Sequence, residues 1–128
     1  MQEEKQWYEP MHFEIRIIEV KSACRANHRV GETFQAEYRT PDKPFCGEAY
    51  VGMYPILYAM RIGGDMQLMG KEQSLETVYS CPSRVVRFLI RGIPRCNRCG
   101  KEVNNWDNLI RYKTKYLETI CQECFEKI

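Results

Sequence analysis

The stretch MHFEIRIIEV, residues 11–20, decides how the rest of the chain is read. Phe13, Ile15 and Ile17 alternate with Glu14 and Arg16. Side chains of an extended chain point to opposite faces at each step, so this alternation makes a strand with one dry face and one wet face. VVRFLIR at residues 85–91 repeats the pattern, with Val86, Phe88 and Ile90 inward. VGETFQAEYR at 30–39 offers Phe34, Ala36 and Tyr38 to an inner face, with Gly31 as a turn before it and TPDKP as turn chemistry after it. LETVYS at 75–80 reads as a short strand.

One segment breaks the period of two. In GEAYVGMYPILYAMRIGG, residues 47–64, Tyr50, Met53, Tyr54, Leu57 and Tyr58 recur at steps of three and four, the spacing of a helix face. Pro55 lacks an N–H and either kinks this helix or opens its second half. Gly63 and Gly64 are expected to stop it, and DMQLMGKEQS (65–74) reads as a loop. The order strand, strand, helix, strand, strand predicts an α+β fold: a small, mostly antiparallel sheet or open barrel with one helix across it. Residues 1–10 read as a flexible lead-in, 11–91 as this domain and 92–128 as an appended module. RGIP at 91–94 is too short for a free linker, so the module is expected to lie against the sheet.

The module carries the strongest chemical signal. CNRCG (96–100) and CQECF (121–125) give C-x2-C-x21-C-x2-C through Cys96, Cys99, Cys121 and Cys124. Two thiolates in a tight turn grip one ion, and a second such pair completes a tetrahedron of sulfurs. Gly100 permits the left-handed backbone that such a knuckle needs. LIRYKTKYLETI (109–120) can fold back on itself as two strands, and the second pair opens a short helix. Knuckle, hairpin and helix in this order resemble a treble-clef zinc finger over roughly the last 33 residues. Zn2+ is the expected ion, with iron the alternative that a sulfur tetrahedron also accepts. Four cysteines leave no open position for water, so the expected role is structural. A segment this short needs such a staple, and a structural zinc contributes on the order of 10–16 kcal/mol of apparent binding energy to folding.

The front domain holds a second, scattered set. Cys24 and His28 fall in the loop after the first strand, Cys46 just before the helix, and Cys81 at a strand end. Drawn together at one end of the sheet, they would make a closed metal site. Alternatively, the three thiols alone would leave an open position or form a reactive site, with His28 as base, in a thiol- or metal-dependent enzyme or a sulfur-handling protein. The plainer reading is that each packs as a small hydrophobe and that His28 is a satisfied core histidine. CRANHRVGETF, FC, YPILYAMRIGGD, CP and VVRFLIR, in that order over residues 12–91, resemble a family of short, uncharacterised bacterial and archaeal proteins. The resemblance implies a prokaryotic protein and lends no reaction; the cysteine module is an addition to the family's pattern.

Composition bounds the rest. The 128 residues are 44% hydrophobic, which suits a globular core, and the formal net charge is +2 from 19 basic and 17 acidic residues. That balance gives no field demanding nucleic acid or an anionic membrane. RYKTKY nevertheless places Arg111, Lys113 and Lys115 on one strand face, a candidate nucleic-acid contact, or simply a solvated face diluted by nearby acids. The start has no apolar signal-peptide core, and no run approaches the ~20 apolar residues of a membrane span. Seven cysteines, four of them in C-x2-C pairs, fit reduced thiols and a cytoplasmic setting better than a disulfide framework. Tyr50, Tyr54 and Tyr58 form a helical stripe suited to core packing or a pocket wall. No Ser-His-Asp triad, catalytic carboxylate pair or H-E-x-x-H motif is present, so the sequence favours a binding module, acting on a protein partner or on itself, over an enzyme.

Overall fold

Alternation along the chain translates directly into a sheet. The structure, a computed structural model, describes residues 8–37, 41–61, 75–103, 109–113 and 117–128. They fall into two compact units: Phe13–Gly92, and Ile93–Ile128 together with the chain up to His12.

Four strands, β1 (Met11–Val20), β2 (Thr33–Ala36), β3 (Glu76–Ser80) and β4 (Val86–Pro94), form one sheet in the order β2-β1-β4-β3. The two hairpins are antiparallel, with Ile15 opposite Phe34 and Tyr79 opposite Phe88. At the centre, β1 and β4 also run antiparallel: the Lys21 amide meets the Val85 carbonyl at one end and the Arg95 amide meets the Pro10 carbonyl at the other. Phe13, Ile15, Ile17, Phe34, Ala36, Val86, Phe88 and Ile90 are all buried, as the alternation requires. Tyr38, expected to continue the inner face of β2, lies outside the described residues. The turn before β2 has Gly31 at φ +94°, a left-handed conformation that glycine adopts without steric cost. β4 does not stop at Arg91; RGIP continues it, with Gly92 and Pro94 buried.

The helix α1 spans Gly47–Arg61 and runs through Pro55. Pro55 and Val51, whose carbonyl loses its helical donor, are both exposed, so water can satisfy the orphaned group. The buried face is Ala49, Met53, Ile56, Leu57 and Met60. This corrects the tyrosine stripe: Tyr58 is 48% exposed with the Arg61 guanidinium 5.3 Å from its ring centroid, and Tyr50 and Tyr54 are half-buried against each other. Gly52 is where the helix closes on the sheet, since a Cβ there would overlap the Tyr79 hydroxyl. Gly63, Gly64 and the 65–74 stretch lie outside the described residues. No helix among the described residues is long and apolar enough to cross a membrane.

In the second unit, β5 (Ile110–Lys113) and β6 (Leu117–Ile120) form the antiparallel hairpin between the two cysteine pairs. The short helix α2 (Gln122–Glu126) follows, with Cys121 as its N-cap residue. Cys96, Leu109, Ile120 and Cys121 make a small buried core, against which Val103, Ile110 and Cys124 pack.

Candidate functional site

The backbone of the first knuckle is set by Gly100, whose φ of +80° lets the chain reverse just after Cys99. The Gly100 amide bonds the Cys96 carbonyl at 3.0 Å, and the Arg98 and Cys99 amides point at the Cys96 sulfur at 3.3 and 3.5 Å. The second pair is placed by β6 and α2, with the Phe125 amide bonding the Cys121 carbonyl. The four sulfurs of Cys96, Cys99, Cys121 and Cys124 lie within 4.8 Å of one another. Sulfurs of different pairs face each other, Cys96 to Cys124 and Cys99 to Cys121, each at 3.7 Å. A tetrahedron with Zn–S bonds of ~2.3 Å has S···S edges of about 3.8 Å, so these dimensions fit an ion bound by four thiolates.

The thiols differ in how readily they ionise. Burial pushes Cys96 up, but the amides of Cys99, Cys121 and Arg98 outweigh it and bring Cys96 down to about 7. Burial and then the neighbouring thiols push Cys124 up to about 12, and Cys99 is also raised, first by burial. One proton leaves easily and the last one hardly at all, because crowded thiolates repel without a cation among them.

Two contacts around this cluster are not apparent in the sequence. Asn97, 1% exposed inside the first pair, is a hub. Its Nδ2 donates to the Tyr8 carbonyl at 2.7 Å, and its Oδ1 accepts from the Thr119 amide at 2.7 Å and the Thr119 hydroxyl at 3.1 Å. Its backbone adds an amide bond to the Thr119 carbonyl and a carbonyl bond from the Tyr8 amide. Arg98 grips the buried Glu118 with two nitrogens, at 2.9 and 3.1 Å. An asparagine in a knuckle is an ordinary turn residue; its burial depends on β6 and Tyr8 arriving from distant parts of the chain.

The front-domain set shares one place. Cys24, His28, Cys46 and Cys81 all line a cavity of about 310 Å³, together with Arg25, Glu48, Ser83 and apolar neighbours. They are not gathered as tightly as the tail cysteines, whose sulfurs are close enough together to hold a metal ion. His28 is fully engaged. Its Nε2 accepts from the Cys46 amide at 3.1 Å, and its Nδ1 faces the Glu32 carboxylate at 3.3 Å. The Arg29 amide, above all, holds the Glu32 carboxyl below its ordinary range, so Glu32 is an ionised acceptor and Nδ1 carries the imidazole proton. The ring packs edge-on to Phe34 and Phe88. The histidine ties the Cys46 segment to the loop that carries Glu32.

Cys81, 8% exposed, begins the turn into β4. Pro82 supplies the fixed φ of a tight turn, the Arg84 amide bonds the Cys81 carbonyl at 2.8 Å, and Arg84 takes a left-handed φ of 61°. The reversal brings the Val86 amide and the Ser83 hydroxyl to 3.3 Å from the Cys81 sulfur. Burial raises this thiol, but the Ser83 hydroxyl and the amides of Val86, Val85 and Ser83 outweigh it and leave Cys81 below the ordinary thiol range.

Of the candidate nucleic-acid residues, Arg111 and Lys113 fall on β5, while their side chains and Lys115 lie outside the described residues. No family model matches the chain, and neither a curated protein nor a solved structure does.

Proposed function

We propose that the protein is a small zinc-binding module whose four-cysteine site is structural and whose activity is binding, to a protein partner or to itself. The cluster of Cys96, Cys99, Cys121 and Cys124, with facing sulfurs at 3.7 Å, carries the reading. The knuckle, β5–β6 hairpin and α2 follow the order of a treble-clef finger, and that name is part of the proposal. Four thiolates saturate a tetrahedral ion, which leaves it no position for substrate. Thiols kept reduced for this purpose belong in a reducing compartment, and a cytoplasmic setting completes the reading.

Metal analysis of the purified protein tests it. One zinc per chain is expected, lost in Cys99→Ser/Cys124→Ser. A protein that holds no metal, or a double variant that keeps it, overturns the assignment. Salt-sensitive retention on heparin would instead point to nucleic acid and the basic strand.

A further inference from the structure

Cys24, Cys46 and Cys81 have no part in the tail cluster, yet all three face the same cavity of about 310 Å³. Three thiols on one cavity wall are more than core packing needs. They are also not equivalent. Cys24 sits at the start of a turn closed by the Asn27 amide on its carbonyl, and the amide of Cys46 is tied to His28. Among the described residues, Cys81 is the one of the three whose sulfur has hydrogen-bond partners: the Val86 amide donates to it at 3.3 Å, and the Ser83 hydroxyl lies at 3.3 Å, able to donate to a thiolate. Donors aimed at a sulfur stabilise the thiolate, the nucleophilic form.

The chemistry of the wall narrows the substrate. His28 has both nitrogens occupied, so the cavity offers no free imidazole to take up or deliver a proton. Acyl and phosphoryl transfer ordinarily draw on a base paired with the nucleophile, and the described hydrogen bonds to the Cys81 sulfur come from Val86 and Ser83 rather than from Glu48 or a histidine. Thiol–disulfide exchange needs no such base, because its nucleophile is already a thiolate and its leaving group departs as one. We propose that Cys81 is a nucleophilic sulfur and that this cavity is its substrate site, taking a small organic disulfide.

The Cys81 thiolate attacks one sulfur of R–S–S–R. The S–S bond breaks, a Cys81–S–S–R bond forms, and RS⁻ leaves to collect a proton from solvent. The attached R group remains on the protein unless Cys24 or Cys46, as a thiolate, attacks the Cys81 sulfur. That second step forms an intrachain disulfide and releases the second RS⁻, so two protein thiols are oxidised and one disulfide is reduced to two thiols. The pocket lies at the small end of the usual ligand range, which favours a disulfide of few atoms over a peptide-sized one.

The test treats the full-length, zinc-loaded protein with bis(2-hydroxyethyl) disulfide and follows each cysteine by peptide mapping. Modification is expected at Cys81 severalfold faster than at Cys24 or Cys46, because the Val86 amide and the Ser83 hydroxyl beside its sulfur favour the thiolate. It appears either as the mixed disulfide or as an intrachain disulfide that includes Cys81. Ser83→Ala, at an exposed position, removes one donor and should slow the Cys81 reaction severalfold. Equal or faster labelling of Cys24 or Cys46 overturns the proposal. So does a Cys81 no faster than in the urea-unfolded chain, or a Ser83→Ala rate equal to that of the unmodified protein. The zinc content of the same sample reports separately on the tail.

Discussion

Asn97 shows what a single buried amide does next to a metal-type cluster. Its side chain joins the cysteine knuckle to β6 and to Tyr8 through three hydrogen bonds in a space that excludes water. Asn97→Ala strands the Thr119 amide and the Tyr8 carbonyl, and each buried polar group left without a partner costs about 1–3 kcal/mol. Because the same bonds orient Cys96 and Cys99, the variant should bind zinc about 10–100-fold more weakly. Competition with a chromogenic chelator measures this, and unchanged affinity would show that the knuckle holds its shape without the amide. The four-cysteine cluster was legible because the spacing of its pairs is itself the pattern. Asn97 was not, because nothing in its neighbours announces that Thr119 and Tyr8 will meet it. His28 was legible as a conspicuous residue but not in its role, which depends on an amide 18 positions away and a carboxylate that fixes its tautomer.

At the scale of elements, strands were easier to read than the helix for a physical reason. Over residues 13–17 of β1 and 86–91 of β4 every second residue is apolar and Glu14, Arg16, Arg87 and Arg91 are among those between, which marks one face for burial. In α1 nearly every position is apolar, and a spacing of three and four fits several faces equally well. Met53 and Leu57 belong to the buried face, whereas Tyr54 and Tyr58 turn aside from it. Pro55 fits an otherwise regular helix because it lies on the outer side, which periodicity alone did not settle. The centre of the packing is Phe88, fully buried among His28, Phe45 and Tyr79. Phe88→Ala should cost about 3–5 kcal/mol in urea unfolding, the usual loss when a large core aromatic leaves a cavity. A loss below about 1 kcal/mol, the scale of surface changes, would mean that the site collapses around the smaller side chain.

At the scale of the molecule, the two units differ in what completes them. Phe13–Gly92 has its own sheet, helix and aromatic core. The other unit has a small core of Cys96, Leu109, Ile120 and Cys121, two of whose members belong to the four-sulfur cluster. Cys124→Ser should therefore leave the Phe13–Gly92 unit resistant to protease while cleavage appears between residues 93 and 128. Limited proteolysis with mass spectrometry reads the fragments. A tail that stays protected in the variant, or in the chelated protein, would show that packing alone holds it.

The pairing of Tyr8 with Asn97 also orders events in time. A chain emerging from the ribosome delivers Tyr8 early, but its partner Asn97 arrives much later, and Thr119, which Asn97 also holds, later still. Residues 13–92 are contiguous and can close as soon as β4 is out. The segment at Tyr8 must instead wait until Asn97, and the β6 residue Thr119 that Asn97 also holds, have been made. Its amide protection in a pulse of deuterium during synthesis would appear last, together with that of the final strand, and not with the early hairpin that its position in the chain suggests.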